Sequence, residues 1–161
     1  MTRTEYISWF DEVLAPTEPM ILLVDESSLS WQLTDRSFTL GQLIAHIPMS
    51  LQFNARVLAQ EAFLPSIREI LVSNRRHVAM NADAATRAFR RTALLFREEV
   101  ERVEESDFAV RRIQTPQKGE IPVWRFCTFV LEHHIHHLME LHLSLKVLGL
   151  SVNTRTLYVG T

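Results

Sequence analysis

Apolar residues recur along this chain at three- and four-residue spacing, in long segments that few glycines and prolines interrupt, and that period predicts helices. Tyr6, Trp9, Phe10 and Val13 mark a first helix that must stop near Pro16 and Pro19, after which Met20 to Ser28 can form a further helical piece. Thr39 is the expected N-cap of a long helix through about Phe63, with Leu40, Leu43, Ile44, Ile47, Leu51 and Leu58 as its buried stripe and a kink at Pro48. A third long helix is expected from about Asp83 to Val103. It should bury Phe89, Leu94, Phe96 and Val100 and leave Arg87, Arg90, Arg91, Arg97, Glu98 and Glu101 as an ordinary solvated face. Between Phe108 and Val123 the period breaks, and the turn-formers from Gln114 to Gly119 predict a loop or small β-hairpin. The last long helix begins near Pro122 and ends near Gly149, which can take a left-handed C-terminal cap. No internal repeat or linker interrupts this order. The expected architecture is all-α: an up-and-down four-helix bundle with short additional helices and a candidate small hairpin before the last long helix, forming one domain over residues 1–161.

Composition narrows the function. A chain of 161 residues with 47% hydrophobic content can bury a sizeable core. A formal charge of -2 and a pI near 6.4 give no cation excess to neutralise phosphates, so no nucleic-acid partner is expected. One cysteine, Cys127, excludes an intramolecular disulfide and fits a reducing cytoplasm. No stretch reaches the roughly 18 consecutive apolar residues of a membrane span, and Met1 to Glu5 carry no apolar run after the basic Arg3. The reading is a soluble, unexported, cytoplasmic protein without a membrane partner.

The chemistry concentrates in Glu132-His133-His134-Ile135-His136-His137, which holds four of the seven histidines. At about 100° per residue, His133 and His137 fall within about 40° of each other, one turn apart, so both imidazoles can address one ion. His136 lies about 60° to the other side of His133 and is a supporting candidate, while His134 points about 100° away. Glu140 follows one turn beyond His137, where it can hydrogen-bond a metal-bound water or act as a carboxylate ligand. Two ligands rarely complete a site, and His46, a polar interruption of Leu43-Ile44-Ala45-His46-Ile47, is the candidate third from another helix. Cys127 lies about 120° from His133 and reads as a packed small hydrophobe. Met49, Met80 and Met139 read as core or interface filler, and His77 and His142 as exposed or interface residues. No glycine-framed serine or phosphate-binding loop is present.

From Ser37-Phe38-Thr39-Leu40-Gly41-Gln42-Leu43-Ile44-Ala45-His46 through the histidine cluster to Leu145-Lys146-Val147-Leu148-Gly149, the chain resembles the DinB/YfiT-like superfamily over most of its length. An aromatic-Thr pattern leading to the first histidine and His-x-x-His-His on the last helix occur here in order. The resemblance implies His46, His133 and His137 as metal ligands, with His136 matching the penultimate histidine and Trp31 an upstream tryptophan. The family often continues with Arg-Gly-Gln where this chain has Leu138-Met139-Glu140, so a carboxylate replaces an amide. The implied function is a metal-dependent enzyme that transfers or hydrolyses a small-molecule substrate, with zinc or nickel as the ion and a low-molecular-weight thiol as a candidate cofactor. Glu140 or His136 would orient water or thiol, and Trp31 with Phe126 would shape the pocket. The competing reading is a non-catalytic metal-binding protein with a structural or regulatory role. The resemblance also implies a homodimer, for which the apolar first helix from Tyr6 offers a contact surface.

Overall fold

Short polar side chains set most of the helix starts, because the first backbone N–H groups of a helix have no partner within it. A computed structural model describes residues 1–59, 78–115 and 118–160; the expected helix end near Phe63, His77, and Pro116 and Gln117 of the expected turn lie outside them. Thr2 opens α1 (Arg3–Leu14) with a capping box: its Oγ1 accepts from the Glu5 N–H at 3.0 Å, and Glu5 accepts from the Thr2 N–H at 2.7 Å. The expected piece from Met20 to Ser28 divides differently. α2 spans Thr17–Ile21 and a separate 3₁₀ turn spans Glu26–Ser28. Pro19 sits in the first turn of α2, where its missing N–H costs no helical bond, so the helix starts before Met20.

Thr39 and Gln42 make a second box at α3 (Leu40–Ala59): Thr39 Oγ1 accepts from the Gln42 N–H at 3.3 Å and Gln42 Oε1 from the Thr39 N–H at 2.9 Å. α3 continues through Pro48, which offers no N–H to the Ile44 carbonyl. Asn81 caps α4 (Ala82–Glu101) through the Ala84 N–H at 2.9 Å. Phe108, Ala109 and Val110 belong to a short helix α5 (Glu105–Val110) rather than to the loop. The hairpin follows it: β1 (Arg112–Thr115) pairs antiparallel with β2 (Gly119–Pro122), Ile113 opposite Ile121 and Thr115 opposite Gly119. α6 (Val123–Val147) ends as its glycine foretold. Gly149 adopts φ 82°, its N–H donates to the Lys146 carbonyl, and the Leu150 N–H donates to the Leu145 carbonyl, both at 3.0 Å. A last short helix, α7 (Thr154–Val159), is capped by Asn153.

Among the described residues the protein is predominantly helical with one small sheet, and α3 packs against both α4 and α6, as does α1. The six stripe residues of α3 are all buried, as are Phe89, Phe96 and Val100 of α4. Leu94 is the exception, 55% exposed. It lies about 160° around the helix from Phe96, on the opposite face. Part of the charged face of α4 forms inter-helix pairs, Arg90 with Glu18 and Arg97 with Asp11, although such exposed pairs contribute at most about 1 kcal/mol each. Tyr6 is fully buried and its hydroxyl donates to the Cys127 carbonyl at 2.9 Å, so it is not available to a partner chain; α1 presents Trp9 outward instead. Cys127 is packed in the core, where burial pushes its thiol well above the usual range. Among the described residues no helix is long and apolar enough to cross a membrane.

Candidate metal centre

The contact of α3 with α6 carries one histidine from α3 and two from α6 to the same place. Each of His46, His133 and His137 offers a ring nitrogen, and these atoms lie within 4.8 Å of one another. His133 and His137 are brought together by their four-residue spacing, their Nε2 atoms 3.2 Å apart. Two nitrogens bound at zinc distances with a tetrahedral angle between them sit about 3.3 Å apart, so this spacing suits a shared ion. His46 arrives from the other helix with its ring centroid 4.5 Å from that of His137 and 5.5 Å from that of His133. Leu43, Ile44 and Ile47 beside it are buried, and the packing that buries them fixes where His46 emerges.

Protonation favours ligation. Burial, then the charges of His46, His133, His134 and His136, push His137 down to about 3, and burial followed by His136 lowers His133. Both rings are therefore neutral near pH 7, the form that binds metal. Glu140 Oε2 lies 3.2 Å from His137 Nδ1. The tautomer that donates Nδ1–H to this carboxylate leaves the Nε2 lone pair facing His133, the carboxylate–histidine arrangement that orients a ligand. Glu140 is itself shifted upward by burial. It supports His137 and is not among the converging atoms.

A model of the DinB superfamily matches residues 10–141. The chain belongs to the DinB superfamily. Among solved structures, a DinB-like protein from Bacillus cereus is 17% identical, with 94% of this chain and 96% of that one covered and a TM-score of 0.74. The DinB-like protein YjoA from Bacillus subtilis is 15% identical, with 92% and 94% covered and a TM-score of 0.69. At these identities the likeness establishes the fold. No curated protein matches the chain significantly.

This DinB member surrounds its triad with aromatic rings. Phe38 stacks on His46 at 4.9 Å between centroids and lies 6.1 Å from His137, and Phe129 stacks on His133 at 6.3 Å. Neither ring was singled out from the sequence. Phe38 stands next to Thr39 in the motif that leads to His46, and Phe129 precedes His133 by one turn, so both carry a readable signal. Phe126 instead lies in the closed core at 1% exposure, and Trp31 packs half-buried against the core, its carbonyl accepting from the Leu40 N–H at 2.8 Å. His136 is exposed and bears on the triad through its charge. His134 turns away to Thr17, its Nε2 2.8 Å from the hydroxyl. His142 is buried rather than superficial, Nε2 donating to the Asn153 carbonyl at 3.1 Å, because the segment that leads into α7 folds back over α6. Met139 is partly exposed, beside a separate apolar cleft that also contains Trp9 and Leu138.

Proposed function

We propose that this DinB protein is a divalent-metal-dependent enzyme acting on a small molecule by transfer or hydrolysis, with His46, His133 and His137 as its protein ligands. The observation that carries the reading is the convergence of three imidazoles from two helices beside an open cleft lined by Phe38 and Glu140. Zinc and nickel both suit an imidazole set, and a low-molecular-weight thiol is the candidate co-substrate. When bound, such an ion supplies Lewis acidity to a ligand in an open coordination position. Glu140 holds the His137 ring through Nδ1, Phe38 and Phe129 limit water around the other two rings, and exposed His136 would orient water or thiol. The non-catalytic alternative needs a closed ligand sphere. The engagement of Glu140 with His137 weighs against Glu140 as a fourth protein ligand.

The deciding experiment is elemental analysis of protein purified without an affinity tag, alongside His46→Ala and His137→Ala variants shown to be folded by circular dichroism. One divalent ion per native chain, lost in both variants, is expected. A native chain that takes up neither added zinc nor added nickel would sink the metal reading.

A further inference from the structure

Beside the triad lies a cleft of about 320 Å³ lined by Arg36, Ser37, Phe38 and Glu140. Two of these residues touch the candidate ligands: Phe38 stacks on His46, and Glu140 hydrogen-bonds His137. The cleft therefore opens beside the place where an ion would sit, and its size suits a small molecule. Arg36 is its cation. Among the described residues Arg36 makes no ion pair, whereas Arg125 on α6 is committed to Glu132 through two hydrogen bonds of 3.0 and 3.3 Å.

Arg36 is also presented by a well-tied turn. The Ser37 N–H and hydroxyl both donate to the Thr34 carbonyl, at 3.0 and 2.8 Å, and the Thr34 N–H donates to Ser37 Oγ at 2.9 Å. A backbone bridge between Gln32 and Thr39 closes the base of the loop. Such ordering of the backbone at Arg36 removes the loop's share of the entropic cost of binding. On the other flank, Lys118 of the hairpin lies 5.5 Å from the centre of the Phe129 ring that stacks on His133. Lys118 thus adds a second cation near the triad, outside the residues that line the cleft, while the carboxylate of Glu140 is turned to His137.

From this arrangement we infer that the cleft recognises a carboxylate on the substrate, held by the planar fork of Arg36 with the substrate's reacting end toward the triad. The inference rests on the metal-dependent reading above and adds a substrate class to it. A guanidinium matches a carboxylate through two parallel hydrogen bonds, which a neutral amide cannot reproduce.

The test loads the protein with cobalt(II), whose visible bands report ligands entering its coordination sphere or changing its surroundings, and titrates it with succinate or with neutral succinamide. Succinate should perturb the bands at lower concentration than succinamide. Arg36→Ala should weaken succinate about tenfold while leaving cobalt affinity and the spectrum of the unliganded protein unchanged, and Arg36→Lys should recover part of the loss. Cobalt binding with equal succinate affinity in native and Arg36→Ala proteins would overturn the carboxylate assignment and leave the metal centre standing. Failure to bind cobalt would instead count against the metal centre. Calorimetry of succinate with the metal-free chain then decides the cleft separately: Arg36-dependent binding supports it, and no binding overturns it.

Discussion

His137 is gripped through both ring nitrogens, by the neighbourhood of His133 at Nε2 and by Glu140 at Nδ1. If Glu140 orients the ring, Glu140→Ala should weaken metal binding by about 10- to 100-fold, and Glu140→Gln, which keeps an acceptor oxygen, should lose less. Competition against a chelator of known affinity measures both; equal affinity in all three proteins would remove Glu140 from the site. The buried imidazoles also make the metal-free protein sensitive to acid. His134 and His137 are each pushed down to about 3 mainly by burial, against an ordinary value of 6.5. A histidine lowered by folding contributes stability above its unfolded value, and that stability is lost as pH falls through 6.5 toward 3. From pH 7 to pH 5, His134 alone should cost about 2 kcal/mol. Glu140, raised by burial, works in the opposite direction, but chiefly as pH falls toward the ordinary carboxylate range. Urea denaturation of the metal-free chain at the two pH values checks this, and unchanged stability would contradict it. At this scale the pairing of His133 with His137 was legible because spacing within one helix is local geometry. The buried state of His142 was not, because its partner Asn153 comes from a later segment.

At the scale of elements, helix starts and stops were the most readable features. Thr39 and Gln42 sit three residues apart with acceptors of the right length, and the box they form holds the first turn of α3 directly after Phe38. Thr39→Ala should destabilise the protein by about 1 kcal/mol, read as a lower urea midpoint with an unchanged slope. An unchanged midpoint would mean that water or a neighbouring group replaces the cap. Gly149 was readable for a similar reason, since the end of α6 needs a left-handed residue there. The misplaced elements failed on local chemistry with two solutions. Pro19 can end one helix or sit in the first turn of the next, and Phe108 to Val110 carry too few residues to show a helical period. Leu94 was assigned to the core by its residue type although the same period puts it opposite Phe96, where it is exposed.

Across the whole molecule, an ion shared by His46 of α3 and the histidines of α6 would tie two helices together and bind the folded chain alone. Zinc at 100 times its dissociation constant should add about 2.7 kcal/mol, a rise in melting temperature of about 5–10 °C for a chain of this size. The shift should vanish in folded His46→Ala protein; an equal shift there would point to the histidines of α6 acting by themselves. What the sequence determined without the structure was the helical character of the chain, the caps at Thr39 and Gly149, most of the buried stripes and the His133–His137 pair, since each depends on periodicity or on contacts within a few residues. The family motif nominated His46, but only the packing of α3 on α6 put its imidazole beside the pair. The same packing seated Phe38 on His46 and opened the cleft that contains Arg36. Those relations join residues far apart in the chain, and they arise when buried side chains from different helices interlock, which no local pattern encodes.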